Sequence, residues 1–266
     1  MTFNIGPLKV GPSEPCAVIA ELSNNHGGDF DRCIRLIDAA KAAGASAVKL
    51  QAFEVGELLA LRGDGPAPAP WNDRSMSDLY SQAITPRRWF KQLYDHAAAI
   101  DLPIFSSVFG LDSLALLESL GNPCYKIARL DNQHTELIAA VGATGKPLII
   151  SEDNGLRVRD HAADGAVWLY CPSGYPQTKF AFHHEMWHGS AGAGQCEWDA
   201  ADYLGFSYHG TDPLPCIAAV ALGAKIIEAH FQLDAEPSVL EANVSLGQTA
   251  FASMVADIRR VESMLA

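Results

Sequence analysis

Residues 16–53, CAVIAELSNNHGGDFDRCIRLIDAAKAAGASAVKLQAF, decide the fold. The stretch opens on a short apolar run, CAVIAEL (16–22), and closes on another, AVKLQAF (47–53). Between them FDRCIRLIDAAKAAG sets Cys33, Ile34, Ile37 and Ala40 at helical spacing and stops at Gly44, the residue type that most readily takes the conformation ending a helix. A strand, an amphipathic helix and a second, mainly apolar strand make one unit of a buried parallel sheet.

Working outward, the same alternation runs to the end of the chain. Further strands read at PIFSSVF (103–109), CYKIAR (124–129), PLIISE (147–152), AVWLYCP (166–172), YLGFSYH (203–209) and KIIEAHFQ (225–232), eight in all. Thr85-Pro86 opens a helix with proline in the tolerated first turn, Asp112 caps DSLALLESLG, Asp212-Pro213 opens PLPCIAAVALG, and a last helix spans roughly 248–264. Eight strands followed by helices or loops, the fifth connection NGLRVRDHAADG being short for a helix, predict a closed (β/α)8 TIM barrel, with an open doubly wound sheet as the alternative. The 266 residues match the roughly 250 of such a barrel, so residues 1–266 read as a single catalytic domain. Residues 1–15, with FNIGPLKVG, read as an N-terminal hairpin that plugs the barrel's bottom. Two segments interrupt the rhythm at strand C-termini, GDGPAPAPWNDRSM (63–76) and residues 173–202, and both are lid candidates.

Composition narrows the partners. Nineteen Lys and Arg against 31 Asp and Glu give a net charge of −12, and no basic run offers a surface for nucleic acid or anionic membrane. No stretch approaches the ~20 apolar residues of a membrane span, and the N-terminus lacks the pattern of a secretory signal. A cytoplasmic location follows as the expectation. The six cysteines show no C-x-x-C spacing and read as buried free thiols.

In a barrel, polar residues at strand ends face the open mouth. His209 and His230 end adjacent strands, where two imidazoles can converge on Mn²⁺, Zn²⁺ or Fe²⁺ or else serve as hydrogen-bonded core histidines. Lys49, Lys126 and Arg129 are cations inside apolar strands. With Ser107, Ser151 and Ser207 they form a cradle for a small, highly charged anion; internal ion pairs with Glu21, Glu152 and Glu228 are the alternative. Asn25 and His26, just past Glu21, are candidate substrate contacts.

The blocks AELSNNHGGDF, KLQAF, IFSSVF, YKIAR, KPLIIS, GYP, GFSYH and ALGAKIIEAHF, in this order over about residues 3–264, resemble the sialic acid synthase (N-acetylneuraminate synthase) family. The resemblance implies a TIM barrel that condenses phosphoenolpyruvate with an aldose-like aldehyde, yielding a 2-keto acid and phosphate, with Mn²⁺ or Mg²⁺. Position by position it implies that Lys49, Ser107, Lys126, Ser151 and Ser207 hold phosphoenolpyruvate and that His209 and His230 hold the metal. Glu21 stands near the reacting enol and the attacking water, and Gln51, Asp131 and Tyr175 near the sugar, Asp131 replacing a glutamate. A homodimer, or a separate antifreeze-like subunit standing in for the family's C-terminal antifreeze-like domain, is the protein partner it implies.

Departures from the family pattern are concentrated near the mouth. Arg129 replaces a serine, Glu152-Asp153 replaces Thr-Gly, Tyr208 replaces an aspartate, and Ala229 a lysine. Past the last strand VLEANVSL keeps an acid at Glu241. These changes leave two further readings open, a metal-dependent lyase or hydrolase for another small anion, and a binding subunit that needs a partner. His184-Glu185-Met186-Trp187-His188 matches the H-E-x-x-H zinc pattern, but Gly189 ends the helix at once and chance is the better reading. A structural zinc on His183, His184, His188 and Cys196 is its milder form.

Overall fold

The computed structural model describes residues 2–153, 165–182, 186–187 and 203–265. Strands β1 (Phe3–Ile5) and β2 (Leu8–Val10) form an antiparallel hairpin. The barrel strands are β3 (Ala17–Glu21), β4 (Ala47–Ala52), β5 (Ile104–Val108), β6 (Tyr125–Ile127), β7 (Leu148–Glu152), β8 (Val167–Tyr170), β9 (Gly205–Tyr208) and β10 (Ile226–Gln232). Each pairs in parallel with the next, and β10 pairs with both β9 and β3. That last pairing closes the sheet, so the open doubly wound alternative is excluded. A short β11 (Ser245–Gly247) adds to the C-terminal half of β10.

Alternation along each strand sorts side chains into two cores. Val18, Leu50, Ile127, Ile150, Phe206 and Ile227 point outward and pack under the helices. Ala17, Ile19, Ala47, Phe105, Cys124, Ile149, Leu169 and Ile226 point inward and fill the barrel's lower half, where Ile5 and Val10 of the hairpin close it from below. One layer up, the inward positions change character to Glu21, Lys49, Ser107, Lys126, Ser151, Ser207 and Glu228, all buried. The chain thus spends apolar residues where the barrel must be dry and polar ones at the end that opens.

Helices follow the strands. In α1 (Phe30–Ala42) Asp29 caps the first turn by accepting from Arg32 N, and Gly44 at φ +85° turns the chain out. Helices α2 (Val55–Arg62) and α3 (Met76–Ala83) flank the 63–76 segment, and neither was legible as a helix. The stretch after Pro86 begins as a 3-10 turn, Arg87–Trp89, before α4 (Phe90–Ala99). For α5 (Leu111–Ser119) the expected cap is corrected: Gly110 is the cap residue, and Glu57 Oε1 on α2 accepts from Asp112 N (2.9 Å) and Ser113 N (3.1 Å). Next come α6 (Thr135–Gly142), α7 (Leu214–Ala221), whose Leu214 N donates to Asp212 Oδ1 (3.0 Å), and α8 (Gln248–Leu265). Cys16, Cys33, Cys124, Cys171 and Cys216 are buried free thiols, and burial pushes the first two up to about 12. Among the described residues no helix is long and apolar enough to cross a membrane. The H-E-x-x-H histidines and Cys196 lie outside the described residues.

Candidate active site

The barrel's C-terminal end holds a cavity of about 420 Å³. Its floor is the polar inward layer. Lys49 Nζ donates to Ser107 Oγ (2.7 Å) and is ion-paired with Glu21. Lys126 Nζ donates to Ser151 Oγ (2.7 Å) and to Ile127 O (3.1 Å). Glu228 lies between the lysines, its oxygens 3.7 Å from Lys49 Nζ and 3.9 Å from Lys126 Nζ, and accepts from Ser207 Oγ (3.0 Å). Lys49 and Lys126 thus meet both serines and carboxylates in one layer. Burial works against the Glu228 charge, but Lys126 and Lys49 outweigh it and hold the carboxyl down at about 2. Burial lowers Lys126, helped by repulsion from Lys49, while burial of Lys49 is outweighed by Glu21 and Glu228.

At one side of the floor stand the two histidines, ring centroids 4.9 Å apart. His230 Nδ1 donates to Glu241 Oε2 (3.1 Å), and Tyr175 OH donates to Glu241 Oε1. Burial works against charge on His230, yet Glu241 raises it above the usual range. His209 is lowered to about 3, by burial first and then by His230. Its backbone and ring are both held by Gln177, whose Oε1 accepts from His209 N (3.1 Å) while Nε2 lies 3.1 Å from His209 Nδ1. The Tyr175 ring covers the pair, with centroids 5.0 Å from His209 and 6.0 Å from His230.

Higher up the walls turn apolar, with Phe53, Leu58, Leu79, Phe109 and Leu240. From the 63–76 segment Trp71 reaches in, donating through Nε1 to Leu240 O (3.1 Å) and packing on Tyr175 at 5.4 Å. Arg62 lines the wall with Nη2 on both oxygens of Asp131 (2.6 and 2.7 Å) and Nη1 on Tyr80 OH (3.2 Å). Arg129 also lines the cavity, and among the described residues no carboxylate pairs with it.

The NeuB family profile matches residues 36–266, most of the chain. The chain belongs to the NeuB family. Relatives of this NeuB chain include the pseudaminic acid synthase of Helicobacter pylori (strain ATCC 700392 / 26695), 32% identical over 261 residues, and that of Campylobacter jejuni subsp. jejuni serotype O:23/36 (strain 81-176), 29% identical over 261 residues. Each alignment covers 93% of this chain and 74% of the relative. The fold is like that of an N-acetylneuraminic acid (sialic acid) synthetase from Leptospira borgpetersenii serovar Hardjo-bovis, with TM-score 0.82 at 23% identity over 100% of this chain and 90% of that one.

In this NeuB chain the fold brings Glu21, Lys49, Gln51, Ser107, Lys126, Arg129, Ser151, Tyr175, Ser207, His209 and His230 together around the cavity. Three expected substrate contacts lie elsewhere. Asn25 donates to Phe231 O (2.8 Å) and Ser245 Oγ (3.0 Å), tying the β3–α1 turn to β10 and β11. His26 sits between Thr85 Oγ1 (3.1 Å) and Gly28 N (3.0 Å) with its edge on Trp89, and Asp131 stands behind Arg62. Both loops turn these side chains away from the mouth to satisfy buried backbone and guanidinium groups. Of the departures from the family pattern, only Arg129 reaches the cavity. Tyr208 and Ala229 point outward into the helix-facing core, Glu152 shares that face with Ile150, and Asp153 accepts from Ser173 N (2.9 Å) and Oγ (2.6 Å). Arg62, Trp71 and Gln177 escaped sequence reading because they lie on connections, where no periodicity marks an inward face.

The expected metal pair meets a mismatched donor set. A ligating imidazole donates its other ring N–H to an oxygen acceptor. His230 does so toward Glu241, but His209 turns that nitrogen toward an amide N–H. Among the described residues no third His, Cys, Asp or Glu completes a ligand group.

Proposed function

We propose that this NeuB-family chain condenses phosphoenolpyruvate with a sugar or sugar-like aldehyde to give a 2-keto acid and phosphate. The observation that carries the reading is the pair of buried lysine–serine contacts, Lys49–Ser107 and Lys126–Ser151, 2.7 Å each, on the floor of the one layer where inward side chains turn polar. An ammonium with a hydroxyl beside it suits a phosphate or carboxylate oxygen. Burial holds Lys126 below its usual range despite the pull of Glu228, so an anion bound beside it favours its charged form. Arg129, with no carboxylate partner among the described residues, adds a cation not already compensated.

Overall, donor, aldehyde and one water become keto acid and phosphate. C3 of the donor attacks the aldehyde carbon, water adds at C2, and the C2–O bond to phosphorus's oxygen breaks as phosphate leaves. The floor lysines bind the donor's negative charge and favour departure of phosphate. Glu21, fixed by Lys49 and by Ser23 N (2.8 Å), is the carboxylate placed to orient the water. The acceptor's carbonyl end meets Gln51, His209 and His230, and its body meets the apolar wall around Trp71. A lyase or hydrolase of altered charge is less well supported, since of the residues that suggested it only Arg129 faces the cavity.

Incubating the protein with phosphoenolpyruvate and a panel of aldoses, with and without divalent ions, tests the reading. Phosphate release that requires an aldehyde is expected. Release without any acceptor, or none with any, contradicts it.

A further inference from the structure

We infer that Gln177 holds His209 as the tautomer protonated on Nε2, so that His209 presents an N–H to the cavity and does not share a divalent cation with His230. The orientation of the Gln177 amide is fixed by the backbone around it. Its Oε1 accepts from His209 N (3.1 Å), and its Nε2 donates to Pro172 O (2.9 Å) with Ser207 O at 3.3 Å. Turning the amide over would set its NH₂ against a backbone N–H and its oxygen against two carbonyls, leaving buried groups unsatisfied. The amide nitrogen therefore stays where it is, 3.1 Å from His209 Nδ1. A proton on that ring nitrogen would meet an N–H donor, so the nitrogen accepts and the proton sits on Nε2.

His230 has the opposite arrangement. Its Nδ1–H is taken by Glu241 Oε2 (3.1 Å), which leaves Nε2 with a lone pair when the ring is neutral. The two rings, 4.9 Å apart, thus offer one donor and one acceptor, whereas a bridging cation needs two lone pairs. A neutral imidazole N–H is a competent hydrogen-bond donor to a carbonyl oxygen that gains charge in a transition state. At this site His209 takes that role toward the acceptor's aldehyde oxygen, and Gln177 is the positioning residue behind it. The identity of that oxygen rests on the condensation proposed above; the tautomer does not.

The test uses the full chain labelled with ¹⁵N-histidine, with His209 assigned by the signal lost in His209→Gln. Two-bond ¹⁵N–¹H correlations identify the ring nitrogen bearing the proton, and Zn²⁺ is then titrated as a diamagnetic probe. Expected are Nε2–H for His209 and no joint shift of His209 and His230 with Zn²⁺. In the near-isosteric Gln177→Met the opposing donor is gone, and calorimetry should show Mn²⁺ affinity at least about 10-fold above wild type, the scale of an outer-shell effect. Nδ1–H on wild-type His209, or equal Mn²⁺ affinity in wild type and Gln177→Met with both rings shifted by Zn²⁺, overturns the inference. Should Gln177→Met fail to fold, the wild-type tautomer alone decides. Failure of phosphoenolpyruvate to bind would sink the condensation and leave the tautomer result standing.

Discussion

Glu228 is a carboxylate that two lysines compete for, and its position explains why a buried layer of like-charged ammonium groups is tolerated. With Glu21 it neutralises the pair, at a desolvation cost repaid only because Ser107, Ser151 and Ser207 complete the hydrogen bonding. Against burial, Glu228 is held at about 2 by Lys126 and Lys49, and Glu241 at about 2 by His230 and by hydrogen bonds from His230 and Tyr175, compared with an ordinary 4.5. Between these values the unfolded chain binds protons that the folded chain does not, so stability rises with pH through that window. Denaturant unfolding should therefore show the carboxylates' share of stability fully present above about 4.5 and lost as pH approaches 2, with a further rise toward about 6.5 from His209, which burial holds at about 3. Glu228→Gln should flatten the slope by about one proton; a wild type with no slope contradicts the ion-pair account. At this scale the sequence was readable where strand parity applies. Lys49, Lys126 and His209 fall on inward positions, and the same parity turns Tyr208 and Ala229 outward, a signal present in the spacing of GFSYH and EAHF.

The strands were legible because a continuous apolar run bounded by Gly or Pro leaves few other readings. The short helices of the second connection were not. Helix α2 has eight residues with little amphipathic pattern, and its stability comes from what it touches. Glu57 closes its own N-terminus by accepting from Glu54 N (2.9 Å), and it also caps α5 through Asp112 N and Ser113 N. One side chain thus serves two helix ends 55 residues apart, which no local capping rule could locate. Glu57→Ala should lower stability by about 1–2 kcal/mol, as loss of a cap does. Urea unfolding checks this, and a change within about 0.5 kcal/mol, typical of a plain surface position, contradicts it. Since Glu57 does not line the cavity, phosphoenolpyruvate binding should be unchanged. Asn25 and His26 teach the converse. They sit in sequence beside Glu21, but the turn uses them to anchor itself to β10, β11 and Thr85.

For the whole molecule, eight parallel strands specify the barrel and its closure, and the N-terminal hairpin supplies the plug. The lysine–serine floor of the cavity follows from that architecture, because regular strands place its residues. The upper walls are built from connections, with Arg62 at the end of α2 and Trp71 and Tyr175 on loops, held by tertiary contacts, so no strand parity marked Arg62 or Trp71. On the proposed function, the lysine–serine floor is a phosphoenolpyruvate site. Calorimetric titration of phosphoenolpyruvate into wild type and Lys126→Met tests it most directly. One molecule bound per wild-type chain is expected, with affinity about 100-fold weaker in Lys126→Met, the order of loss for removing a buried charged partner. Binding of equal strength to both proteins, or no binding to wild type, would contradict it.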